Sequence, residues 1–258
     1  AHAGLPVPTA LQTETEDYYC SVDIGDDTHG EQRFVGVIEW VDGKPLGTPL
    51  TNTSQDVVPH YKKIGALAAN IRCHSNQWDP PEGFKRRRWN LEGLLGDTPL
   101  WGRFWEAEPL TDGQRMLFRD ARELLREQLG ALSTGPDRFG LIHSDLHLGN
   151  IMHHGADLTI IDFDDAGYGW FAHEAAVALH PAFGEPWFPD AREAFLEGYC
   201  SIHDMDSEET RSIDIFLAVR SLMIVGWLNA RPELPIYEYF SVVIEAAEKA
   251  AKNLVSSS

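Results

Sequence analysis

The stretch HSDLHLGN, residues 143–150, and the stretch IIDFDD, residues 160–165, decide how this chain is interpreted. They place a His, an Asp two residues later and an Asn five residues after that Asp, followed by a further Asp behind an apolar pair. This spacing is typical of phosphoryl-transfer catalytic loops, in which two tasks need separate oxygen groups. One carboxylate orients the attacking hydroxyl and accepts its proton, which fits Asp145. A second carboxylate and a neutral amide hold Mg²⁺, which fits Asp162 and Asn150.

Short β segments surround both stretches. Three apolar runs are predicted to be strands: RFGLI (138–142), IMHH (151–154) and LTIID (158–162). We therefore expect Asp145 and Asp162 at adjacent ends of a small hairpin system, where both face one cleft. An interpretation as turn formers alone, with Asp145 in an Asx turn and Asn150 as a cap, would leave the second acidic cluster unexplained.

At these residues the chain resembles the aminoglycoside phosphotransferase and choline kinase group, which are small-molecule kinases with a protein-kinase-like fold. HSDLHLGN is close to the H-G-D-L-H-x-G-N form of that group, with Ser144 in place of Gly. We expect this substitution to be tolerated if φ at residue 144 is negative. The resemblance implies an α+β, protein-kinase-like two-lobe fold. Its parts are a partial N-terminal β lobe with the hinge (1–41) and a mainly helical C-terminal lobe with the catalytic loop (42–258).

The resemblance also implies ATP and Mg²⁺ as cofactors and transfer of the γ-phosphate to a hydroxyl of a small molecule. Aminoglycosides, amino alcohols and hydroxy amino acids are the acceptor types of this group. His143 is expected to buttress the loop. The remaining implied roles are cofactor contacts for Glu39, Trp40, Val41 and Ile161, and substrate contacts for Asp164, Asp165 and Glu174. The residues alone leave simpler interpretations open: an edge strand ending in a turn at 39–41, solvated turn acids at 164–165, and a helix N-terminal charge at Glu174.

Composition limits the classes of partner. A chain of 258 residues with 43% hydrophobic residues indicates a folded globular protein. The formal net charge of −19 argues against nucleic acid or an anionic membrane as a general partner, and it is compatible with a cationic acceptor. The three cysteines form no C-x-x-C pair, so we expect a reducing, cytoplasmic environment. Arg220 interrupts the longest apolar run, so no membrane span is predicted.

The rest of the sequence predicts a β-rich start followed by helices. Strands are predicted at 18–24 and 33–41, joined by the acidic turn 25–30. Helices are predicted at 53–76, 110–132, 171–179, 186–203, 207–230 and 236–255. The basic run KRRRW, residues 85–89, is more often a salt-bridged loop than a binding patch when it occurs in an acidic protein.

Two parts of the resembled kinases are not recognisable in the sequence: the Gly-rich loop over the phosphates and a strand Lys paired with a helix Glu. The carboxylates of GDDTHGEQ (25–32) would repel phosphate, and Lys44 follows the hinge. The chain is therefore expected to begin part-way through the small lobe, either as a piece of a longer product or as a natural remnant. In both cases we expect weak binding of ATP–Mg and an unpaired strand edge near residues 18–24, which would favour a homodimer or aggregation.

Three alternatives to a small-molecule kinase follow from the same residues. The first is a pseudokinase or binding module that has lost the phosphate-gripping half. The second is a Ser/Thr protein kinase of the same fold. The third is a metal hydrolase built on His143, His147, His153 and His154. The third is disfavoured, because Gly149 and Asn150 make the helix needed by a His-x-x-x-His zinc site improbable.

Overall fold

The computed structural model describes residues 4–24, 31–48 and 54–256, so the predicted acidic turn 25–30 lies outside the described residues. The described ranges before residue 54 contain short strands: β1 (Ala10–Leu11), β2 (Cys20–Ile24), β3 (Glu31–Val35), β4 (Val37–Ile38) and β5 (Lys44–Pro45). The described part from residue 54 on is mainly helical. Its helices are α1 (Val58–Gln77), α2 (Leu91–Leu95), α3 (Asp112–Gly130), α4 (Phe171–Leu179), α5 (Phe188–Cys200), α6 (Ser207–Asn229) and α7 (Phe240–Ser256). Its strands are β6 (Arg88–Trp89), β7 (Phe139–Ile142), β8 (Ile151–His154), β9 (Asp157–Ile160) and β10 (Gly167–Trp170).

Helix start signals in the sequence place the helices well. Thr111 caps α3 by accepting from the backbone N–H of Gln114, whose side chain accepts from the backbone of Thr111 in return. Helix α1 begins five residues later than predicted, because a short 3₁₀ turn at Gln55–Val57 takes the cap of Ser54. The other predicted helices lie within about three residues of their predicted bounds, except that α7 begins four residues later, after a 3₁₀ turn at Pro235–Tyr239. The short helix α2 was not predicted. With the strand-rich beginning, the helices confirm an α+β fold.

The core of the helical part depends on close helix contacts. A Cβ added at Gly65 of α1 would lie 2.0 Å from the carbonyl oxygen of Phe195 in α5, and one added at Gly198 would lie 1.8 Å from that of Lys62. These two glycines therefore allow the backbones of α1 and α5 to touch. Helices α4 and α6 are buried along most of their length and carry side chains toward the site described below.

Two three-stranded sheets flank residues 143–150, the stretch that is predicted to be catalytic. Strand β10 lies between β7, its antiparallel neighbour, and β6, its parallel neighbour. In the other sheet β8 pairs with β9 in an antiparallel hairpin and with β5 on its other side. Residues 143–150 connect the end of β7 to the start of β8. The predicted strands around the stretch are thus confirmed, and the stretch is anchored at both ends.

The N-terminal strands pair two by two and bury little. Strand β2 pairs with β3, and β1 pairs with β4, each antiparallel. The single strand predicted at 33–41 is divided at Gly36, where an added Cβ would lie 3.1 Å from the carbonyl oxygen of Tyr18. Within the described residues β3 is the one hydrogen-bonded neighbour of β2, so the other edge of β2 carries no strand there.

Helix α6 contradicts the prediction that no segment is long and apolar enough to span a membrane. By length and composition Ser207–Asn229 could cross a membrane, because Arg220 does not lower its hydropathy enough. However, 78% of its most apolar window is buried inside the protein, and Arg220 has an ion-pair partner there. The helix therefore packs as the central helix of the core.

Candidate active site

Glu174 holds the start of the catalytic stretch. Its Oε1 accepts from the backbone N–H of His143 at 2.7 Å, and its Oε2 accepts from that of Ser144 at 2.8 Å. The side chain is 2% exposed, and burial raises the pKa of Glu174 to about 7 although both backbone N–H groups lower it. The interpretation of Glu174 as a substrate contact is wrong in this structure, because both oxygens are turned into the protein. It supports the loop backbone from the first turn of α4.

The φ angle of Ser144 is positive, although we expected Ser to be tolerated there only with a negative φ. Its φ is +68°, in the left-handed region that favours glycine. The Oγ of Ser144 is buried and has no hydrogen-bond partner. The chain therefore tolerates Ser at the glycine position by accepting strain and an unsatisfied hydroxyl, rather than by avoiding the left-handed region.

His143 links residues 143–150 to the segment that follows β9. Its Nδ1 accepts from the backbone N–H of Asp145 at 3.3 Å, so the neutral ring carries its proton on Nε2 and donates it to the carbonyl oxygen of Ile161 at 3.0 Å. Burial lowers the pKa of His143. The ring also lies 4.5 Å from that of Phe163. A buried neutral imidazole with both nitrogens occupied supports the loop, which agrees with the buttressing role predicted for it.

The carboxylate of Asp145 is held from three directions. Arg220 donates to its Oδ1 at 2.6 Å, and Asn150 Nδ2 donates to its Oδ2 at 3.0 Å. His147 Nε2 lies 3.3 Å from the same Oδ2 and carries the proton there, because Nδ1 accepts from the N–H of Gly149. Burial by itself would raise the pKa of Asp145, but the bond from His147 and the charge of Arg220 hold it well below its usual range. Asp145 is therefore ionised.

The predicted metal ligands, Asn150 and Asp162, lie near this carboxylate: Asn150 is hydrogen-bonded to it, and Asp162 lines the same cavity. The amide nitrogen of Asn150 donates to the carbonyl oxygen of Asp145 as well as to its side chain, which leaves the amide oxygen as a free ligand atom. Asp162 is exposed, has φ +64° and accepts from the N–H of Asp164 through Oδ1. Ile161 donates its N–H to the carbonyl oxygen of Asn150, so the two segments are adjacent. The donor set of one carboxylate and one amide oxygen fits Mg²⁺.

A cavity of about 240 Å³ opens in front of Asp145. It brings together four predicted residues and six others: Asp145, Asp162, Asp164 and Asp165, with Trp101, His147, Arg220, Ile224, Trp227 and Ile236. Sequence reasoning missed Arg220 and both tryptophans. A signal for Arg220 was present, since a charged residue in the middle of an apolar helix needs a partner.

The hinge residues lie at a different, open cavity. Glu39, Trp40 and Val41 border it together with Val7, Thr9 and His154, and none of the catalytic residues lines it. The backbone N–H of Glu39 already donates to the carbonyl oxygen of Thr9 at 2.9 Å, so that group is not available for the predicted cofactor contact. Trp40 is 88% exposed. The structure therefore does not bring these residues together with the catalytic loop.

The basic run, residues 85–89, is hydrogen-bonded to the loop that follows Asp162, and we call these contacts the strap. Arg87 forms an ion pair with Asp165, and Trp89 Nε1 donates to the carbonyl oxygen of Asp165 at 2.8 Å. Arg86 reaches the carbonyl oxygens of Phe163 and Asp164, at 3.5 and 3.3 Å. The run is thus the salt-bridged loop that the sequence favoured. Burial raises the pKa of Asp165 even though Arg87 opposes the shift.

The histidines proposed for a metal hydrolase do not form a metal centre. His143 is buried in the hydrogen bonds described above, whereas His153 and His154 lie on β8. Across residues 4–24, 31–48 and 54–256, no group of three or more His, Cys, Asp or Glu side chains is arranged to hold a metal ion.

Residues 143–150 lie between two small sheets on a helical lobe and carry an ionised Asp beside oxygen ligands of the kind that Mg²⁺ prefers. This combination is typical of kinase-like phosphotransferases. The sequence profile of the Phosphotransferase enzyme family matches residues 1–212, and the chain belongs to this family. Amicoumacin kinase of Bacillus subtilis (strain 168) is 32% identical over 155 residues, which are 57% of this chain and 43% of that protein. The chain thus matches less than half the length of that curated relative.

Solved structures show the same fold over nearly the whole chain. A microcompartment-associated aminopropanol kinase superposes with a TM-score of 0.81 at 29% identity, covering 98% of this chain and 77% of that one. An amicoumacin kinase in complex with AMP-PNP, Ca²⁺ and Ami superposes with a TM-score of 0.74 at 20% identity, covering 98% of this chain and 74% of that one.

Proposed function

We propose that this site transfers the γ-phosphate of ATP, with Mg²⁺, to a hydroxyl group of a small molecule. The observation that carries the proposal is the ionised, immobilised carboxylate of Asp145 at the wall of a cavity that Asp162 also lines. Family membership and the likeness to an amicoumacin kinase and an aminopropanol kinase support it. Bound ATP–Mg²⁺ supplies the phosphoryl donor and neutralises charge on it.

The residues of the chain divide the work between them. Asp145 accepts the hydrogen bond of the acceptor hydroxyl and orients its oxygen toward the phosphoryl group. Asp162 and the amide oxygen of Asn150 would hold the metal ion. His143 and Glu174 keep the backbone between these groups in place. Because the phosphoryl transition state is loose, an oriented acceptor matters more than a strong base, so the low pKa of Asp145 is compatible with this role.

The cavity favours a small, positively charged acceptor. Its volume of about 240 Å³ is below the range of pockets that take drug-sized ligands. Its walls include the exposed carboxylate of Asp164, which is a suitable partner for an ammonium group, whereas Arg220 and Arg231 already lie over the rings of Trp101 and Trp227. An amino alcohol fits these features better than an aminoglycoside does.

A matched pair of acceptors tests the proposal. The chain is incubated with Mg²⁺–ATP and either aminopropanol or propanediol, and phosphorylated product is measured by mass spectrometry. We expect product from aminopropanol and at least about tenfold less from propanediol, because a hydrogen bond between an ammonium group and a carboxylate contributes roughly 1.5–3 kcal/mol. Ethanolamine, choline and amicoumacin extend the panel.

Asp145→Asn is the catalytic control. It should lower turnover by about 10²–10⁴-fold, because it removes a positioned general base, and it should also lower the melting temperature, because the buried Arg220 loses its charged partner. Turnover is therefore compared well below the melting temperature of the variant. Asp120→Asn, at an exposed position of α3 that lines neither cavity, should leave turnover unchanged. Absence of product with every acceptor, or turnover of Asp145→Asn within about threefold of the parent, would refute the proposed function.

A further inference from the structure

Arg220 is a charged residue in a long, mostly buried stretch of helix α6. It is 5% exposed, and its neighbours in sequence on α6, Val219 and Ser221, are also buried. A guanidinium group loses its hydration in such a place and is retained only when it has good partners. Its partners therefore indicate what it does.

The partners of Arg220 belong to the site. One N–H donates to Oδ1 of Asp145 at 2.6 Å, and the guanidinium lies over the ring of Trp101, 4.4 Å from its centroid. The ring of Trp101 in turn lies 6.0 Å from that of Trp227, which is two turns along α6 from Arg220. Arg220, Ile224 and Trp227 are spaced on one face of the helix and line the same cavity.

The hydrogen bond from Arg220 fixes the orientation of the Asp145 carboxylate, which the bonds from residues 143–150 do not fix alone. Asn150 and His147 both donate to Oδ2 of Asp145, whereas Arg220 donates to Oδ1. The bonds on one oxygen alone allow the carboxylate to rock about its Cβ–Cγ bond, and the bond from Arg220 limits that rotation. The two bonds to Oδ2 occupy its lone pairs, so Oδ1 keeps the lone pair for a further hydrogen bond, and the cavity is the open side.

We propose that Arg220 is a positioning residue: it fixes the carboxylate of Asp145 from the cavity wall and thereby sets the direction from which the acceptor hydroxyl approaches. The inference rests on the proposed role of Asp145 in phosphoryl transfer. Arg220 is 75 residues from Asp145 in sequence and lies outside the family's catalytic motif. It acts on the acceptor side, so nucleotide binding does not depend on it.

Arg220→Met keeps the apolar length of the side chain and removes the bond. We expect kcat for aminopropanol to fall about 10²-fold, as a misplaced reacting group does, while KM for ATP stays within about threefold. Arg220→Lys keeps one donor and should retain more of kcat than Arg220→Met, because a point charge replaces only part of the fork. Guanidinium ion, added to Arg220→Ala far below denaturing concentrations, should restore part of kcat.

Arg122 provides a matched control. It also stacks on a tryptophan, with its guanidinium 4.2 Å from the centroid of Trp105, and it is partly buried on α3, but its hydrogen bonds go to Leu95, Asp97 and Glu123. Arg122→Met should lower the melting temperature and leave kcat within about threefold. A merely structural role for Arg220 would give the same pattern in both variants.

Crystal structures of Arg220→Met and Arg220→Lys give a readout that needs no acceptor. The carboxylate of Asp145 should rotate about its Cβ–Cγ bond in Arg220→Met and stay in place in Arg220→Lys. An unturned carboxylate in Arg220→Met, or kcat of that variant within about threefold of the parent, would overturn the inference. If the parent protein phosphorylates none of the acceptors, the proposed function fails, whereas the orientation of Asp145 still decides what Arg220 does.

Discussion

Residues 54–256 and the N-terminal strands in 4–24 and 31–48 contain similar apolar side chains but bury them to very different extents. In the helical part Phe118, Phe195 and Phe216 are completely buried. In the strands Phe34, Val37 and Ile38 are more than half exposed. Within the described residues each of the strands β1 to β4 has one hydrogen-bonded partner, so these two-stranded sheets bury little of their faces. The candidate site lies in the part with a core, where Arg220, Asn150 and His147 hold the charge of Asp145.

A pair of phenylalanine variants tests this difference most directly. Phe118→Ala should lower the free energy of unfolding by about 3–5 kcal/mol, because it opens a cavity against Phe104 and its neighbours. Phe34→Ala, at a side chain that is 69% exposed, should change it by less than about 0.5 kcal/mol. Denaturant unfolding of both variants gives the two values. Equal losses would mean that the strands contribute to the cooperative core.

The buried carboxyl of Glu174 makes the stability of the helical part depend on pH. Its pKa is about 7 in the folded protein and about 4.5 in the unfolded chain, so the folded state holds the proton between these values. The contribution is fully present below pH 4.5 and is lost as the pH rises through 7. It amounts to roughly 3 kcal/mol at most.

Glu174→Gln removes this titration. The free energy of unfolding of the parent, measured relative to that of the variant, should fall between about pH 5 and pH 8. Parallel stability curves for the two proteins would show that Glu174 is ionised throughout. Asp23→Asn, at an exposed position on β2, serves as the control.

The strain at Ser144 is expected to be released by the residue that the resembled group carries there. Ser144→Gly should raise the free energy of unfolding by about 1 kcal/mol, because relief of the left-handed backbone and of the buried hydroxyl outweighs the extra entropy of the unfolded chain. The melting temperature should rise by roughly 2–4 °C. Ser144→Ala, which removes the hydroxyl and keeps Cβ, separates the two effects. A lower melting temperature for Ser144→Gly would contradict this account.

The smallest expected effect concerns the strap formed by the basic run. Arg87→Gln breaks the partly exposed ion pair with Asp165 and should raise KM for Mg²⁺–ATP about twofold, equivalent to about 0.5 kcal/mol. Lys85→Gln, at an exposed neighbour in the same run, should have no effect. A tenfold or greater change in KM for Arg87→Gln would mean that these contacts fix the position of the loop that carries Asp162.

The sequence by itself determined the local part of the site. Asp145, Asn150 and Asp162 lie within one strand–loop–hairpin unit, so their spacing and the apolar runs between them were enough to predict that they are neighbours. The helices were predictable for the same reason, since caps and periodicity act over a few residues. Even Arg220 left a signal in its apolar surroundings, although not the identity of its partner.

Tertiary structure alone decided which groups meet across the chain. Arg220 reaches Asp145 from a helix 75 residues away, Arg87 reaches Asp165 across 78 residues, and Glu174 turns toward the loop backbone instead of the cavity. The left-handed φ of Ser144 accompanies the hydrogen bonds that Glu174 accepts from the backbone N–H groups of His143 and Ser144. Spacing in sequence fixes which face a side chain takes on its own helix or strand. The packing of those elements, set by the whole core, fixes what that face meets.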